Sequence, residues 1–277
     1  MARRNRLPDR EIPPLAPLIP WPGGQSKDVR KLEKFFPGHD TYVEPFAGGA
    51  SFFFWKRPAK KEVIGDTSKW LIDFYNDVRK GKARACAGGI SYSESNYWKS
   101  AKKKNPTTCD RLTMSALGFD GGQRMSFSTG PGHRGVKTGE KIWQRKLSKL
   151  GLYEGRLKQA YLSRMSFEKT MKKFDSPDAF HFVDPPWPVK SAKRYYEGNV
   201  GVTVDTVGRV ASKMKGKVWV IYNMDPKIAR ILHGHGLKIY RVRTVRTGGQ
   251  KGSQKYEKLI AANYDIKTGK PLRRARR

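Results

Sequence analysis

Two consecutive prolines follow an acidic residue in the segment Asp184-Pro185-Pro186-Trp187, directly after a short apolar stretch, residues 180–183 (FHFV). Proline has a fixed φ angle and no N–H to give to a neighbouring strand, so the segment leaves a sheet rigidly. The Asp184 carboxylate and the Pro185 carbonyl would then face outward as paired acceptors. Two hydrogen bonds from an exocyclic amine would draw its lone pair out of conjugation, so that it could attack a methyl group while Trp187 stacks on the base. The alternative interpretation is a proline-rich turn that only closes a strand.

A glycine turn follows another short apolar stretch, residues 41–46 (TYVEPF), in the run Glu44-Pro45-Phe46-Ala47-Gly48-Gly49. Glycines let the backbone approach a ligand closely at the carboxyl edge of a sheet, where open α/β folds bind small molecules. Asp66 ends the next predicted strand, and a carboxylate there can accept both hydrogen bonds from a ribose diol. An ordinary tight turn and a helix cap are the alternatives. The order of the two features favours a nucleoside-containing cofactor.

The elements around these segments alternate between strands and helices. After Ser68, a suitable N-cap, one helical face carries a set of apolar residues: Trp70, Leu71, Phe74, Tyr75 and Val78. Further strands are predicted over residues 180–183, 217–222, 237–244 and 258–264, and helices over residues 204–214 and 227–232. This alternation predicts a mainly parallel α/β sheet, with the last two strands as an antiparallel edge.

Three regions have a different composition and do not show this alternation of strands and helices. Residues 83–161 are dominated by Gly, Ser, Lys and Asn, and we interpret them as an insertion, with a hairpin or loop cluster over residues 117–134 and a short helix over residues 143–150. Residues 1–20 form a basic, proline-rich N-terminal extension. Residues 267–277 form a basic C-terminal tail that we expect to be mobile until it contacts a phosphate backbone.

The composition favours a folded protein with a polyanionic partner. Lys and Arg number 57 and Asp and Glu 24 among 277 residues, a net charge of +33, which predicts salt-dependent contacts with nucleic acid phosphates. Charge alone does not separate DNA from RNA, or an enzyme from an architectural protein.

No apolar run is long enough to span a membrane, so we expect a soluble, intracellular protein without membrane contact. Cys86 and Cys109 lack metal-ligand spacing, so we expect reduced thiols and no metal site.

These segments, in their order along the chain, resemble motifs of the DNA adenine N6-methyltransferases of the Dam (D12) class, over most of the sequence. Five segments carry the resemblance: residues 21–27 (WPGGQSK) to the family's W-A-G-G-K element, residues 42–53 to its E-P-F-x-G-G cofactor loop, residues 65–68 (GDTS) to its N-D-I-N segment, residues 184–187 (DPPW) to its D-P-P-Y box, and residues 257–264 (EKLIAANY) to its closing E-L-L-I-T-N-Y strand.

The resemblance implies a Rossmann-like S-adenosylmethionine-dependent methyltransferase sheet with helices on both faces. The catalytic domain would comprise residues 21–82 and 162–266, and residues 83–161 would be the inserted target-recognition region. The implied reaction moves a methyl group from S-adenosylmethionine to N6 of an adenine flipped out of double-stranded DNA, at a specific site, as in restriction-modification. We therefore expect a cytoplasmic, DNA-associated enzyme of prokaryotic or phage origin, acting as a monomer or weak dimer without a metal.

The resemblance also assigns site residues. The catalytic pocket would comprise Asp184, Pro185, Pro186 and Trp187. The cofactor contacts would be Trp21, Gly23, Gly24, Gln25, Glu44, Pro45, Phe46, Gly48, Asp66, Ser166, Phe167 and Asp184. Residues 119–127 (FDGGQRMSF) resemble the family's hairpin with an N-G-x-x-R-x-N pattern, which makes Arg124, together with Arg134 and Lys137, a candidate for DNA contact. For Arg124 a phosphate contact is favoured over bidentate pairing with guanine.

Three positions depart from the family pattern. The family's Lys in the first element is Gln25 here, which removes a positive charge near the methionine carboxylate. The family's Asp-Phe or Asp-Tyr contact to the cofactor adenine becomes Ser166-Phe167, a weaker hydroxyl acceptor, whereas Trp187 in place of Tyr keeps the stacking face. Two alternatives therefore stay open: a catalytically weakened, methyltransferase-like nucleic-acid-binding or structural protein, and an RNA adenine methyltransferase.

Overall fold

A computed structural model describes residues 13–275 apart from residues 22, 27, 89–92, 119–135, 188–200, 247–253 and 270–271. Its centre is one eight-stranded sheet. The strands are β1 (Thr41–Glu44), β2 (Lys61–Gly65), β3 (Ala160–Ser163), β4 (Ala179–Val183), β5 (Lys217–Asn223), β6 (Lys238–Arg246), β7 (Gln254–Ala262) and β8 (Leu272–Arg274). Their order is β3-β2-β1-β4-β5-β7-β6-β8. Strands β1 to β5 are parallel, whereas β7 is antiparallel to both of its neighbours and β8 is antiparallel to β6.

Helices connect and cover these strands. They are α1 (Val29–Leu32), α2 (Ser51–Trp55), α3 (Lys69–Arg79), α4 (Lys82–Ala87), α5 (Glu94–Ala101), α6 (Thr108–Leu117), α7 (Val136–Leu147), α8 (Leu150–Lys158), α9 (Phe167–Lys173), α10 (Val204–Ala211) and α11 (Pro226–Gly234). Helix α3 begins as the sequence predicted, because the Ser68 hydroxyl accepts a hydrogen bond from the amide of Leu71.

Apolar side chains alternate between the two faces of the sheet. In β5, Trp219 and Ile221 join the larger core with side chains of α2, α3 and α8, whereas Val218 and Val220 join a second core with side chains of α9, α10 and α11. Successive side chains of a strand point to opposite faces, so both faces of this strand are buried. This confirms the predicted α/β fold class with helices on both faces.

The strand order reverses beside β1. Strand β2 pairs with one edge of β1 and β4 with the other, both in parallel. The loops that follow β1 and β4 therefore leave the same edge of the sheet and run in opposite directions, which leaves a crevice between them. Ligands of open α/β sheets bind in the crevice at such a switch point.

Residues 13–21, which we call the N-terminal strap, pack onto the larger core. The Leu15 amide donates to the Phe54 carbonyl of α2 at 2.9 Å, and the Tyr153 hydroxyl of α8 donates to the Ala16 carbonyl at 2.8 Å. Three strap side chains are at most 2% exposed: Leu15, Leu18 and Ile19. The strap thereby delivers Trp21 to the crevice beside β1.

The region of residues 83–161 is more regular than its composition indicated. It contains α5, α6, α7 and α8, and the short helix predicted over residues 143–150 spans the break between α7 and α8. Helix α6 begins with a capping box, because Thr107 and Asp110 each accept the other's amide hydrogen. Tyr97 and Leu112 are fully buried. Of the predicted hairpin over residues 117–134, residues 119–134 lie outside the described residues.

The two cysteines form a disulfide, so the expectation of reduced thiols is wrong. Cys86 of α4 and Cys109 of α6 are bonded, with Cα atoms 5.1 Å apart. Their distance along the sequence does not show this pairing, because the packing of α4 against α6 brings them together.

The C-terminal tail was expected to be mobile, but part of it is an edge strand. Residues Leu272–Arg274 form β8 against β6, and the amide of Ala275 donates to the Ile239 carbonyl at 2.9 Å. Leu272 is fully buried, and this single apolar side chain anchors the basic segment. No helix within the described ranges is long and apolar enough to cross a bilayer.

Candidate active site at the carboxyl edge of the sheet

A cleft opens at the switch point beside β1. Its walls combine the end of the N-terminal strap, the loop after β1, the end of β2 and the loop after β4. The lining residues are Trp21, Gly23, Gly24, Gln25, Glu44, Phe46, Ala47, Gly48, Gly49, Ser51, Phe52, Asp66, Phe182, Asp184, Pro185, Pro186 and Trp187. The structure thus brings together the four residues predicted as catalytic and most of those predicted to contact a cofactor.

The glycine turn forms one wall because its backbone lies against an indole ring. Gly48 has a φ of +45°, and a Cβ atom there would lie 2.5 Å from Cδ1 of Trp21. Its amide donates to Oδ2 of Asp66 at 3.1 Å, and its carbonyl accepts from the hydroxyl of Tyr75 at 2.6 Å. Only glycine combines this conformation with so close an approach.

Asp66 joins the loops that follow β1 and β2. Oδ1 accepts the amide of Ser68 at 2.9 Å, and Oδ2 accepts the amide of Gly48. Burial raises the pKa of Asp66, while these hydrogen bonds oppose the shift. Each carboxylate oxygen has a second lone pair, so the group can still accept hydrogen bonds from a diol in the cleft. The cap of α3 is Ser68, so Asp66 is not needed for that purpose.

Glu44 ends β1 inside the cleft and is only 2% exposed. Its Oε2 accepts the hydroxyl of Tyr42 at 2.9 Å and the amide of Phe53 at 3.2 Å. Burial raises the pKa of Glu44 to about 8 against the effect of these hydrogen bonds, and the nearby Asp184 carboxylate raises it further. Glu44 is therefore mainly protonated at neutral pH.

Asp184 follows β4 at the opposite wall. Its Oδ2 accepts a hydrogen bond from Nε2 of Gln25 at 3.0 Å. Burial raises the pKa of Asp184 to about 7, although Lys258 and the Gln25 hydrogen bond both act to lower it. Pro185, Pro186 and Trp187 continue from it along the cleft. The acceptor is therefore held in place by a neutral amide donor.

Sequence reasoning missed a buried polar cluster behind this wall. Nζ of Lys258 on β7 donates to Oδ2 of Asp28 at 2.6 Å and to Oε1 of Gln25, while the Thr244 hydroxyl donates to Oδ1 of Asp28. All four side chains belong to residues at most 3% exposed. The available signal was a lysine followed by the apolar run Leu259-Ile260-Ala261-Ala262, because a charged side chain in such a strand needs a buried partner.

Three predicted cofactor residues lie outside the walls of the cleft. Ser166 caps α9, where its hydroxyl accepts the amide of Lys169 at 3.4 Å. Phe167 is buried and stacks on Phe46, with ring centroids 5.0 Å apart. Pro45 is buried between Glu44 and Phe46.

The predicted DNA contacts lie in or beside the undescribed part of the insertion. Arg124 and Arg134 are outside the described residues, and Lys137 belongs to helix α7. Among the residues that the structure does describe, no group of His, Cys, Asp and Glu side chains could hold a metal ion.

Comparisons with known proteins identify the family of this chain. The sequence model of the D12 class N6 adenine-specific DNA methyltransferase family matches residues 21–247. A type II methyltransferase, M.CviBI of Paramecium bursaria Chlorella virus NC1A, is 25% identical over 191 residues, which is 62% of this chain and 69% of that protein.

Among solved structures, protein LPL1258 of Legionella pneumophila aligns over 86% of this chain and 81% of its own, with 13% identity and a TM-score of 0.31, too low to relate the two folds. The family match covers most of the chain, including the glycine turn and the Asp184 segment. The chain therefore belongs to the D12 class N6 adenine-specific DNA methyltransferases, which depend on S-adenosylmethionine.

Proposed function

We propose that the cleft beside β1 is the active site, in which Asp184 and Trp187 hold an adenine flipped from duplex DNA beside S-adenosylmethionine. The observation that carries this proposal is the position of Asp184. Its carboxyl group is fixed by Gln25 in the wall of the same cleft that the Gly48 turn and Asp66 line.

The residues of the cleft suit this cofactor. The cleft lies at the switch point of the sheet, where open α/β folds bind such ligands. Asp66 retains acceptor capacity for a ribose diol, and the backbone at Gly48 is open to close approach. The Trp21 ring offers an aromatic wall beside it. When bound, S-adenosylmethionine supplies a methyl group on a positively charged sulfur, which a nitrogen nucleophile can displace.

The chain's own residues would orient the amine and exclude water. The Asp184 carboxylate and the Pro185 carbonyl would accept hydrogen bonds from the adenine amine, directing its lone pair toward the methyl group. Trp187 would stack on the flipped base. Because the pKa of Asp184 is about 7, the ionised acceptor increases as the pH rises through neutrality, and methyl transfer should increase with it.

A methyl-transfer assay tests the role of Asp184. Purified protein, labelled S-adenosylmethionine and unmodified adenine-containing duplex DNA should yield N6-methyladenine, identified by mass spectrometry of the nucleosides. Asp184→Ala should lower kcat by at least about 100-fold. The matched control is Asp178→Ala, which removes the same side chain from an exposed position just before β4. Equal label with Asp184→Ala and the wild type would reject the role of Asp184, and preferential labelling of competing RNA would reject the DNA substrate.

We also propose that residues 83–161 form the target-recognition region, and that the enzyme acts in the cytoplasm as a monomer or weak dimer. The net charge of +33 supports close contact with DNA. Arg124→Ala, Arg134→Ala and Lys137→Ala should each weaken binding of a duplex that contains the target site. Sedimentation of the free protein and of its DNA complex would measure the oligomeric state.

A further inference from the structure

A chain of buried hydrogen bonds leads from β7 to the proposed adenine acceptor. Nζ of Lys258 donates to Asp28 and to Oε1 of Gln25. The side-chain nitrogen Nε2 of Gln25 donates to Oδ2 of Asp184 at 3.0 Å and to the Gly23 carbonyl at 3.2 Å. Lys258 does not line the cleft itself. In these contacts it reaches the acceptor through Gln25.

Lys258 fixes the direction in which the Gln25 amide points. An ammonium group can only donate hydrogen bonds, so the amide oxygen must face Lys258 and the NH₂ group must face Asp184. The reverse orientation would place the amide oxygen against the Asp184 carboxylate and the NH₂ group against the ammonium, with no hydrogen bond at either end. The Asp184 carboxyl group and the Gly23 carbonyl, both acceptors, favour the same orientation from the other end of the amide, so loss of Lys258 would weaken this preference.

The positive charge of Lys258 also acts on Asp184. Among the described residues, the charged, titratable and polar groups that face Asp184 are Gln25, Glu44 at the end of β1, Tyr222 on β5 and Lys258 on β7. Lys258 is the cation of this set. It lowers the pKa of Asp184 against the effect of burial.

The side chains of Lys258 and Gln25 are in contact in the fold although 233 residues separate them.

We propose that Lys258 is a positioning residue for methyl transfer: acting through Gln25, it keeps the Asp184 carboxyl group correctly oriented and favours its ionised form. This inference rests on the proposed function. It adds a residue on β7 to the set of groups that prepare the acceptor.

The main test compares Lys258→Met with the double variant Gln25→Lys/Lys258→Met, which moves the cation from position 258 to position 25. Lys258→Met should lower kcat roughly 10- to 100-fold, as loss of a group that orients a reacting residue typically does. The KM for S-adenosylmethionine should change by less than about threefold, because Lys258 does not reach the cleft wall. The midpoint of the kcat–pH profile should rise by about one pH unit, since Asp184 loses a nearby cation. The double variant should recover at least about tenfold in kcat, with the midpoint moving back.

Two further variants separate positioning from folding. Lys258→Met leaves Asp28 without its buried ion pair, so Asp28→Asn/Lys258→Met serves as a variant without an unpaired charge. Gln25→Met keeps the Lys258–Asp28 pair and removes only the amide, and it should lower kcat and raise the pH midpoint in the same way. Wild-type kcat and pH midpoint in Lys258→Met would overturn the proposal. Activity lost without a change of midpoint, and not recovered by the double variant Gln25→Lys/Lys258→Met, would overturn it as well.

A titration of the cofactor-free protein distinguishes failure of this inference from failure of the proposed function. NMR of protein labelled with ¹³C at the aspartate carboxyls, assigned through Asp184→Asn, reports the midpoint of Asp184 directly. Lys258→Met should move that midpoint upward from about 7. If the Asp184 midpoint is the same in Lys258→Met and the wild type, the inference is refuted even if the wild type methylates adenine. If the midpoint rises in Lys258→Met but the wild type transfers no methyl group, only the proposed function is refuted.

Discussion

Two carboxyl groups of the cleft, those of Glu44 and Asp184, have pKa values above those of exposed carboxyl groups. Burial raises the pKa of Glu44 to about 8 and that of Asp184 to about 7. In an unfolded chain, both groups would ionise near their ordinary values. The folded protein therefore binds more protons than the unfolded chain across the intervening pH range, and its stability must depend on pH.

Glu44→Gln should weaken this pH dependence. Between its ordinary value of 4.5 and about 8, Glu44 is protonated in the folded state and ionised in the unfolded state. The contribution of Glu44 to the free energy of unfolding is therefore greatest below pH 4.5, and it falls as the pH rises to about 8, by up to about 1.4 kcal/mol per pH unit. Glutamine cannot ionise, yet its oxygen can still accept from Tyr42 and Phe53.

Urea unfolding at about pH 5 and about pH 8 measures the effect. The wild type should lose more stability than Glu44→Gln between the two values, and the variant should keep only the smaller loss due to other buried acids such as Asp184. A variant whose stability falls as steeply as that of the wild type would show that Glu44 ionises normally.

Gly48→Ala should damage both stability and cofactor binding. An alanine there would combine a φ of +45° with a Cβ atom 2.5 Å from the Trp21 ring, so the indole must move out of the cleft wall. We expect a loss of about 2 kcal/mol or more in the free energy of unfolding. Affinity for S-adenosylmethionine, measured by calorimetry, should fall at least about tenfold.

Gly38→Ala is the matched control, because a Cβ atom at Gly38 would meet nothing within 4 Å. It should leave stability and affinity close to those of the wild type. Equal behaviour of the two variants would mean that Trp21 is not held against the glycine turn.

Residue types identified the acidic groups of the cleft but not the cluster behind them. Asp66 and Asp184 each follow a predicted strand, so sequence order alone placed them at one edge of a parallel sheet. Lys258 was missed because a lysine in a strand can point to solvent. Its burial depends on strand β7 inserting between β5 and β6, a pairing that periodicity does not show.

At the scale of elements, the predictions succeeded where an apolar stretch ended at a clear turn. Strands β1, β4 and β5 and helix α3 were predicted closely, because β-rich stretches and a serine cap mark them. Strand β8 was missed because one buried leucine, Leu272, is a weak signal among basic residues. Helices α4 to α6 were missed because their apolar residues are few, although capping groups begin α5 and α6.

The disulfide between α4 and α6 should contribute measurably to stability. Cys86 and Cys109 are 23 residues apart, and a cross-link that closes a loop of this size stabilises a fold by roughly 3 kcal/mol. Cys86→Ser/Cys109→Ser should therefore unfold at a lower urea concentration than the oxidised wild type. Reductant should lower the midpoint of the wild type and leave that of the double variant unchanged. A wild-type midpoint insensitive to reductant would contradict the bond.

At the scale of the whole molecule, the net charge of +33 should govern affinity for DNA. Each phosphate neutralised by Lys or Arg releases a counterion, so affinity should fall on the order of 10³-fold between about 50 and about 200 mM salt. Fluorescence anisotropy with a labelled duplex measures this dependence. Binding of S-adenosylmethionine should change far less over the same range, and a similarly flat response for DNA would mean that few phosphates are contacted.

The way in which the N-terminal strap and β7 complete the fold limits where the chain can be shortened. The family's sequence model begins at residue 21 and ends at residue 247. A fragment cut to those bounds would lack Leu15, Leu18 and Ile19 of the larger core, and also the strand that joins β5 to β6. Truncation libraries, tag removal sites and fusion points should therefore be placed before residue 13 or after residue 275, since a terminal deletion that removes Leu15 or Leu272 exposes core side chains to water.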